Sequence, residues 1–330
     1  LGDVYKRQVY EVAYSPVWGG SYPETRTTPM IVGKKAFMIS GSGEVVCLDI
    51  TDGKIVWKVS GKSFRHQPGM WGTSECPLVI DGKKVIYTPS GNETTIVALD
   101  AETGKTIWKS RSLQDEGGYA SPILITYNGH RKIVALTGNR IVGVNPENGQ
   151  IDWTFDDLGK EGSQYIVPTN TPLYKDGRIF TANGYGAGAF MLQLNEDASG
   201  VRLLWRNKGF DPHHGCFVLV DGIIYGSSHG RNGLGKWMAV DWNTGRTRFE
   251  MNWGKGVGEG SVIAADGMLY CSDERRGMVG LVRVNPAKFD LVSFFRITRG
   301  EGAFWAHPVI HRGILYVRHG NALMAYKIKG

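Results

Sequence analysis

A phrase of fixed spacing recurs along this chain and constrains its fold more than any other feature. It consists of a small residue, an apolar residue and an Asp or Asn, followed by a glycine four residues later and an aromatic residue eight residues later. Four copies keep this spacing, at 47–57, 98–108, 143–153 and 239–249. Two further copies, at 194–205 and 284–294, carry extra residues or lack the glycine. Periods of roughly 40 to 50 residues are typical of propellers and other repeat arrays.

Each copy of the phrase predicts an antiparallel hairpin. Apolar runs such as Ile96–Leu99 precede the Asp, and runs such as Thr106–Trp108 follow the glycine. Two such runs around a tight turn are the sequence signal of a hairpin. The turn tetrads, of which Glu102–Lys105 is one, place glycine where a positive φ is needed. The aromatic residue then lies on an outer strand as a structural element of the repeat, at Trp57, Trp108, Trp153, Trp205 and Phe249.

A second hairpin precedes each phrase, so that each repeat is expected to hold four short strands. In the second repeat it consists of Pro77–Ile80, the turn Asp81-Gly82 and Val85–Tyr87. Aligned in this way, the repeats begin near residues 27, 75, 120, 170, 215, 260 and 306. No segment keeps helical periodicity, and the sequence therefore predicts an all-β propeller with seven four-stranded antiparallel blades.

The two ends of the chain leave the blade count open. The last repeat stops at 326–330 after three strands, and Val9–Val12 matches the fourth strand at Val56–Val59. Either this first strand completes the last blade, or it is the remnant of a further blade in an eight-bladed parent. Residues 1–8 match no repeat position and are interpreted as a tail. Residues 9–330 are predicted to form one propeller domain, because each blade of a repeat array contacts its neighbours.

Charge and cysteine usage exclude several classes of protein. The net charge of +7 would permit an anionic partner. However, the basic residues are spread over turns of different blades without accompanying aromatics, so no nucleic-acid partner is expected. No run of 18 apolar residues occurs, and no membrane span is predicted. The four cysteines are far apart in the sequence, and neither a metal site nor a disulfide is predicted from them. The chain is expected to be a monomer.

A candidate binding site follows from the repeat alignment. The loops that enter the innermost strands of a propeller converge at one mouth of its central channel, and here the equivalent positions hold different residue types from repeat to repeat. The candidate ligand-binding residues are Arg26, Glu75, Tyr119, Asn170, His214, Glu259, Trp305 and His307. Such a mixture of charged, polar and aromatic groups is typical of a site for a small polar or anionic ligand.

Some of these positions, and some neighbouring segments, have alternative interpretations. Arg26, Glu75 and Glu259 are alternatively interpreted as a structural ion-pair network that fills the channel. The pair His213-His214 predicts no metal site, because adjacent residues on a strand point to opposite faces. The segment 184–188 is rich in glycine but opens no helix, and it is interpreted as a turn. Lys255 is expected near the channel mouth. No residue is assigned as catalytic.

The repeat phrase, best seen at Ala98–Trp108, resembles that of the pyrroloquinoline-quinone-like β-propeller repeat proteins. The resemblance covers nearly all of 9–330, and it extends to the segments Trp71–Pro77, His213–Gly215 and Trp305–Pro308. These segments are similar to a bacterial branch labelled alcohol-dehydrogenase-like propellers. The wider superfamily includes quinoprotein dehydrogenases and the propeller lipoprotein that scaffolds outer-membrane barrel assembly. The resemblance implies a periplasmic or extracellular location. The chain itself shows no signal-peptide pattern.

Three functions are compatible with this resemblance. The leading hypothesis is a propeller without catalysis that binds a small ligand or a protein partner at the channel mouth. The alternative is a quinone-dependent alcohol or sugar dehydrogenase that uses pyrroloquinoline quinone with calcium. In that case Trp305 or Tyr119 would stack on the quinone, Arg26 would pair with its carboxylates, and Glu75 or Glu259 would serve as calcium ligand or base. Such dehydrogenases show a vicinal disulfide over the quinone, and this chain has no Cys-Cys pair. The third hypothesis is a hydrolase or lyase that uses His214 with Glu259.

Overall fold

A computed structural model of the chain shows a seven-bladed β-propeller of antiparallel sheets, which confirms the predicted fold class. The structure describes residues 10–20, 26–159, 167–230, 235–254 and 258–328. The predicted tail at 1–8 and Lys255 lie outside these ranges. The chain divides into two compact units, unit 1 with Leu1–Asp156 and Glu196–Gly200, and unit 2 with Asp157–Asn195 and Val201–Gly330. None of the described segments forms a helix with the length and apolar character needed to cross a membrane.

Unit 1 contains the first three blades, and in each of them consecutive strands pair in chain order. The first blade consists of β1 (Met30–Val32), β2 (Lys35–Ile39), β3 (Val45–Asp49) and β4 (Ile55–Val59). The second consists of β5 (Leu78–Ile80), β6 (Lys84–Tyr87), β7 (Val97–Asp100) and β8 (Thr106–Lys109). The third consists of β9 (Ile123–Tyr127), β10 (His130–Leu136), β11 (Ile141–Val144) and β12 (Ile151–Phe155). A short 3-10 turn, Gly61–Phe64, follows the first blade.

Unit 2 contains the other four blades, and the described part of the last blade has three strands. The fourth blade consists of β13 (Leu173–Lys175), β14 (Arg178–Ala182), β15 (Ala189–Leu194) and β16 (Val201–Asn207). The fifth consists of β17 (Phe217–Val220), β18 (Ile223–Ser228), β19 (Lys236–Asp241) and β20 (Thr247–Met251). The sixth consists of β21 (Gly260–Ala265), β22 (Met268–Asp273), β23 (Met278–Arg283) and β24 (Asp290–Arg296). The seventh consists of β25 (Val309–His311), β26 (Ile314–His319) and β27 (Ala322–Lys327).

The small residue of the repeat phrase lies opposite the aromatic residue across the third and fourth strands. Ala98 pairs with Trp108 and Gly143 pairs with Trp153. At Gly143 a Cβ atom would lie only 2.0 Å from the Trp153 ring, so a large residue does not fit there. In the four blades that keep the spacing of the phrase, the register shifts directly after this pair, which marks a β-bulge. The fourth and sixth blades also have a shift, after Met191 and after Leu281. The phrase therefore encodes a bulged hairpin in which a small residue makes room for a ring.

The Asp of the phrase holds the turn that follows it. The Asp100 carboxylate accepts hydrogen bonds from the Thr103 amide at 2.8 Å and from the Thr103 hydroxyl at 2.7 Å. Asp241 accepts the same pair of bonds from Thr244, each at 2.9 Å. Gly104 closes the turn with φ +71°. These are the local bonds by which Asp and Thr stabilise a turn, and they explain why the spacing from Asp to Gly is constant.

The tryptophan of the phrase joins its blade to the next one along the chain. Trp57 Nε1 donates to the carbonyl of Ala101 in the second blade, and Trp108 Nε1 donates to that of Pro146 in the third, each at 3.1 Å. The rings also cover the turn glycines, since a Cβ atom at Gly149 would lie 2.4 Å from Trp108. Glycine is therefore required in this turn both for its positive φ and for close approach of the ring.

Tyr10 occupies the place of this tryptophan on the first blade. Its hydroxyl donates to the carbonyl of Ile50 at 3.2 Å, and its ring lies against Gly53, where a Cβ atom would be 2.4 Å away. The match between Val9–Val12 and Val56–Val59 therefore has a physical basis in one docking residue. Residues 10–14 form no strand in the structure. Their apolar side chains pack on the first blade, on the group formed by Ala36, Val46 and Leu48.

Candidate functional site

Two neighbouring blades of unit 2 place titratable side chains at the same ends of their first hairpins. Gly260 pairs with Asp273 in the ladder of β21 and β22, so Glu259 and Glu274 stand opposite each other just beyond it. The Glu274 amide donates to the Glu259 carbonyl at 3.1 Å. In the fifth blade, His214 lies in the loop before β17 and His229 follows β18, where the His229 amide donates to the Asp211 carbonyl at 2.9 Å. Antiparallel pairing of the first two strands of a blade therefore brings the loop that precedes the first strand next to the loop that follows the second strand.

The fifth and sixth blades approach closely at this end. The Ser227 hydroxyl donates to the Gly260 carbonyl at 2.8 Å and accepts from the Gly260 amide at 2.9 Å. A Cβ atom at Gly215 would lie 2.1 Å from the Gly260 carbonyl oxygen, so only glycine permits this contact. The approach brings His229 Nδ1 to 3.1 Å from Glu259 Oε2.

The side chains that meet here are called the His–Glu cluster and comprise His213, His214, His229, Glu259 and Glu274. His214 Nδ1 lies 3.4 Å from Glu274 Oε2. The Glu259 and Glu274 carboxyl groups are hydrogen-bonded to each other. The His213 ring centroid lies 4.6 Å from that of His214 and 5.0 Å from that of His229. Five titratable groups from two blades are therefore in mutual contact.

Two aromatic rings flank the His–Glu cluster. The Tyr185 ring lies 4.7 Å from His213 and 5.2 Å from His229, between ring centroids. Trp305 lies 5.3 Å from His214 in an edge-on arrangement and is 40% exposed. Both rings can therefore contribute apolar surface beside the polar groups of the cluster.

The glycine-rich turn at 184–188 positions one of these rings. Its Gly186 and Gly188 amides both donate to the Asp211 carboxylate at 2.6 Å. Tyr185 has φ +56°, a left-handed backbone conformation that a bulky residue rarely adopts. The turn interpretation made from the sequence thus agrees with the backbone. The structure adds that the turn is anchored on Asp211 and directs Tyr185 at the histidines.

The two carboxyl groups of the cluster share one proton near neutral pH. Burial, the charge of Glu259 and their mutual hydrogen bond raise the pKa of Glu274 to about 8. Burial also acts to raise the pKa of Glu259, but the hydrogen bond and charge of His229 bring it below its ordinary value. Two carboxyl groups in contact cannot both be ionised easily, because their negative charges repel each other. Glu274 therefore keeps the proton and Glu259 is the anion.

The three histidines of the cluster differ in charge for local reasons. The hydrogen bond with Glu259 raises the pKa of His229 and so favours its protonated form. Burial, followed by the charge of His307, lowers the pKa of His214 to about 4. Burial and the neighbouring histidines lower the pKa of His213 far below its ordinary value. Near pH 7 the cluster therefore holds a neutral carboxylic acid and two neutral imidazoles, and the contact with Glu259 favours the charged form of His229.

Four of the residues predicted from the sequence meet at this place in unit 2. They are His214, Glu259, Trp305 and His307, the last of which contacts the His214 carbonyl through Nε2 at 2.8 Å. Asn170 has a different environment, because it is fully buried. Its amide nitrogen donates to the carbonyls of Ala182 and Pro212, both at 2.9 Å. Asn170 therefore holds the backbone of two blades together.

The other three predicted residues lie in unit 1. The buried Glu75 carboxylate accepts a hydrogen bond from the Thr88 amide at 2.7 Å, and burial raises its pKa to about 7. The Tyr119 ring lies 5.6 Å from Trp71. Burial lowers the pKa of Arg26, and the charge of Tyr119 acts on it in the opposite direction. Arg26 and Tyr119 are thus neighbours, while the sharing of one mouth by all eight residues stays a prediction.

The interpretation that His213 and His214 face opposite ways was wrong. It assumed an extended strand, whereas β17 begins only at Phe217 and a turn occupies 214–215, so the two rings face each other. Three further members of the site, Tyr185, His229 and Glu274, were not singled out. A signal for His229 lies in the position after each second strand, where a polar residue often precedes glycine, as in Ser40-Gly41, Thr137-Gly138, Asn183-Gly184, His229-Gly230 and His319-Gly320.

Comparison with known proteins assigns the family. Residues 13–251 match the sequence profile of the family described as outer membrane protein assembly factor BamB. The chain belongs to this BamB family. The match covers more than half of the chain and spans five of the six copies of the phrase.

Individual relatives of this BamB-family chain are distant. It is 25% identical over 224 residues to the uncharacterized protein RC0314 of Rickettsia conorii, covering 65% of this chain and 48% of that protein. It is 26% identical over 199 residues to methanol dehydrogenase [cytochrome c] subunit 1 of Methylorubrum extorquens, covering 56% of this chain and 31% of that protein. The aligned part thus spans under half the length of these relatives. The crystal structure of BamB from Moraxella catarrhalis is similar in fold, with a TM-score of 0.67, 19% identity, and 91% and 81% of the two chains covered.

The residues of this BamB-family chain do not match a quinone site with calcium. The part of the chain that the structure describes contains no group of three His, Cys, Asp or Glu side chains arranged for a metal ion. The four cysteines are free and occur in or beside strands of different blades. In the His–Glu cluster one carboxyl group keeps a proton and the other is paired with His229.

Proposed function

We propose that this BamB-family chain binds a small polar ligand at the His–Glu cluster, with Trp305 and Tyr185 providing apolar contact. The observation that carries the proposal is the meeting of five titratable side chains, three of them with strongly perturbed pKa values, beside two aromatic rings. Titratable groups with perturbed pKa values cluster at functional sites.

Backbone strain at the same place supports the proposal. Tyr185 and Cys216 both have left-handed backbone conformations, with φ +56° and φ +59°. Such conformations cost about 1–3 kcal/mol each and are concentrated at ligand-binding sites. Both residues are within or adjacent to the segments that carry the cluster, so the strain accompanies the placement of its side chains.

The exposure of the cluster defines how a ligand would enter. The side chains of His214 and His229 are 32% and 24% exposed, whereas those of Glu259 and Glu274 are 6% and 15% exposed. A ligand therefore meets the imidazoles first and the carboxyl groups below them. The neutral imidazole of His214 can donate or accept a hydrogen bond, which suits a polar ligand.

The proposed compartment is the periplasm or the extracellular space. It is supported by the family description, which names an outer-membrane assembly factor. The same description supports a second candidate function, the binding of a protein partner. Both remain compatible with a ligand site at the His–Glu cluster, because blades and loops of one scaffold can carry separate sites.

A screen of small molecules against matched variants tests the ligand site. Mixtures of sugars, amino acids, organic acids and amines would be screened by saturation-transfer NMR with the wild-type chain, Trp305→Ala and Phe294→Ala. Phe294 is a suitable control because it is an exposed aromatic residue outside the cluster, at 59% exposure. We expect at least one compound to lose its signal with Trp305→Ala and keep it with Phe294→Ala. A complete screen without such a compound would contradict the proposal.

Pyrroloquinoline quinone with calcium belongs in the same screen, since methanol dehydrogenase is among the relatives. Quenching of the ten tryptophans measures its binding. Saturable quenching that disappears in Trp305→Ala or Arg26→Ala would favour a quinone-dependent dehydrogenase over the function proposed here.

A further inference from the structure

The charges around the His–Glu cluster favour a cation. Glu259, Glu274 and Asp273 contribute three carboxyl groups from the ends of β21 and β22, and Asp211 acts on His229 from the fifth blade. His213 and His214 are neutral near pH 7, and the pKa of His229 is raised by Glu259. The basic groups that act on these carboxyl groups are His229, Arg275 and Arg276, so that four carboxyl groups outnumber three basic groups. A hydrogen atom between Glu259 and Glu274 takes the place that a cation could occupy.

A buried oxygen beside the pair lacks a donor. Asp273 is fully buried, and its Oδ2 accepts the Arg276 amide at 2.6 Å. Its Oδ1 has no hydrogen-bond partner among the described residues. The Asp273 charge also acts on Glu274. A buried acceptor without a donor costs about 1–3 kcal/mol, so this place calls for a ligand that brings N–H or O–H groups.

The flanking rings favour a positively charged donor over a neutral one. Trp305 lies against His214 and Tyr185 lies against His213 and His229, so that aromatic surface borders the imidazoles that contact the carboxyl groups. Aromatic faces attract ammonium groups by about 0.5–2 kcal/mol, and an ammonium group carries three donors without any acceptor.

From these observations we infer that the ligand is a small organic amine whose primary ammonium group binds between Glu259 and Glu274. This inference rests on the proposed ligand site. On binding, the O–H bond of the Glu274 carboxylic acid breaks and its proton leaves to the solvent. The resulting carboxylate and that of Glu259 then accept N–H hydrogen bonds from the ammonium group. One cation enters and one proton leaves, so that the charge of the cluster is unchanged.

Binding is consequently linked to pH, with a sign set by the surrounding groups. The groups that act on the carboxyl pair are His214, His229, Asp273 and Arg275, and His307 and Asp211 act on the two histidines. As pH rises from 5.5 towards 8, Glu274 loses its proton more readily, which favours an entering cation. We expect affinity for the amine to rise up to about tenfold per pH unit while one proton is released, and to level off above pH 8.

Isothermal titration of the wild-type chain with n-butylamine, and with n-butanol as the neutral control, measures this linkage. At pH 6.5, titrations in buffers with different ionisation enthalpies give the number of protons released, which we expect to be about one per amine. Glu274→Gln should abolish the release, and Glu250→Gln, an exposed acid-to-amide change in the fifth blade, should leave it intact.

The outcomes separate this inference from the proposed function. Butanol binding as tightly as butylamine, or an affinity for butylamine that does not change with pH, would overturn the inference even if Glu274→Gln failed to fold. If sugars or acids bind at Trp305 in the NMR screen and butylamine does not, the ligand site stands and the amine is wrong. If no compound depends on Trp305, both proposals fail.

Discussion

At the scale of single residues, the His–Glu cluster departs from the usual behaviour of carboxyl groups. Most carboxylates in proteins are stabilised as anions, whereas Glu274 and Glu75 have raised pKa values, about 8 and about 7, mainly because of burial. At these two groups the folded chain therefore binds more protons than the unfolded chain at pH values between about 4.5 and these values. These two groups make folding stability fall with rising pH in that range, whereas the lowered pKa values of His213 and His214 make it rise up to about pH 6.5.

The first prediction is a decrease in the free energy of unfolding between about pH 6.5 and pH 8, above the range in which the buried histidines act in the opposite direction. Each raised carboxyl group contributes at most about 1.4 kcal/mol per pH unit, with the Glu75 contribution ending near pH 7. Glu274→Gln should reduce the slope above pH 7, because an amide binds no proton. Urea denaturation at a series of pH values measures the slope, and Glu250→Gln is the control. An unchanged slope in Glu274→Gln would show that Glu274 is ionised in the folded chain.

At the scale of elements, the repeat phrase encodes a hairpin and a connection between blades. Ala98 makes room for the Trp108 ring across the bulge, and Asp100 holds the turn. Trp108 then docks on Gly149 and on the Pro146 carbonyl of the next blade. The glycine is therefore required for two reasons, its positive φ and the close approach of the ring. The two contributions can be separated by experiment.

Two glycines of the third blade provide this test. Gly149 has φ +78° and would place a Cβ atom 2.4 Å from Trp108, whereas Gly129 has φ +81° and open space around it. Gly129→Ala should cost about 1–2 kcal/mol, the cost of a left-handed alanine. Gly149→Ala should cost clearly more, because the ring must also move. Denaturant unfolding of both variants gives the difference, and equal losses would mean that the ring contact contributes nothing.

At the scale of the whole molecule, the chain is a series of similar blades grouped in two compact units. In repeat architectures stability is close to a sum of blade terms and terms between neighbours. A lost contact between two blades should therefore act mainly on those blades.

Hydrogen exchange of Trp108→Ala tests this locality. The substitution removes a buried ring and its bond to the third blade, and a loss of about 3–5 kcal/mol is expected. Amides of β5 to β12 should exchange faster, while those of β17 to β24 should keep their wild-type rates. A uniform increase over all described strands would instead indicate that the propeller opens as one cooperative body.

The fold was largely predictable, and the candidate site only in part. Alternating apolar runs, turn glycines and the spacing from Asp49 to Trp57 are local signals that repeat, so errors in one blade are corrected by the others. Aligning the entry loops also located His214 and Glu259, whose neighbourhood the structure shows. His229 and Glu274 were missed because they follow second strands, and only the entry positions were aligned. His213 was misjudged because strand geometry was applied to a turn.

The sequence by itself determined the seven repeats, their strand order and the aromatic residues of the phrase. These features depend on contacts close along the chain, which periodicity and turn chemistry report directly. The tertiary structure alone decided that His229 meets Glu259 and that Glu274 holds a proton beside it. The reason is that these side chains lie in irregular loops, where no period sets their direction. Their pKa values also depend on burial and on charges from separate blades.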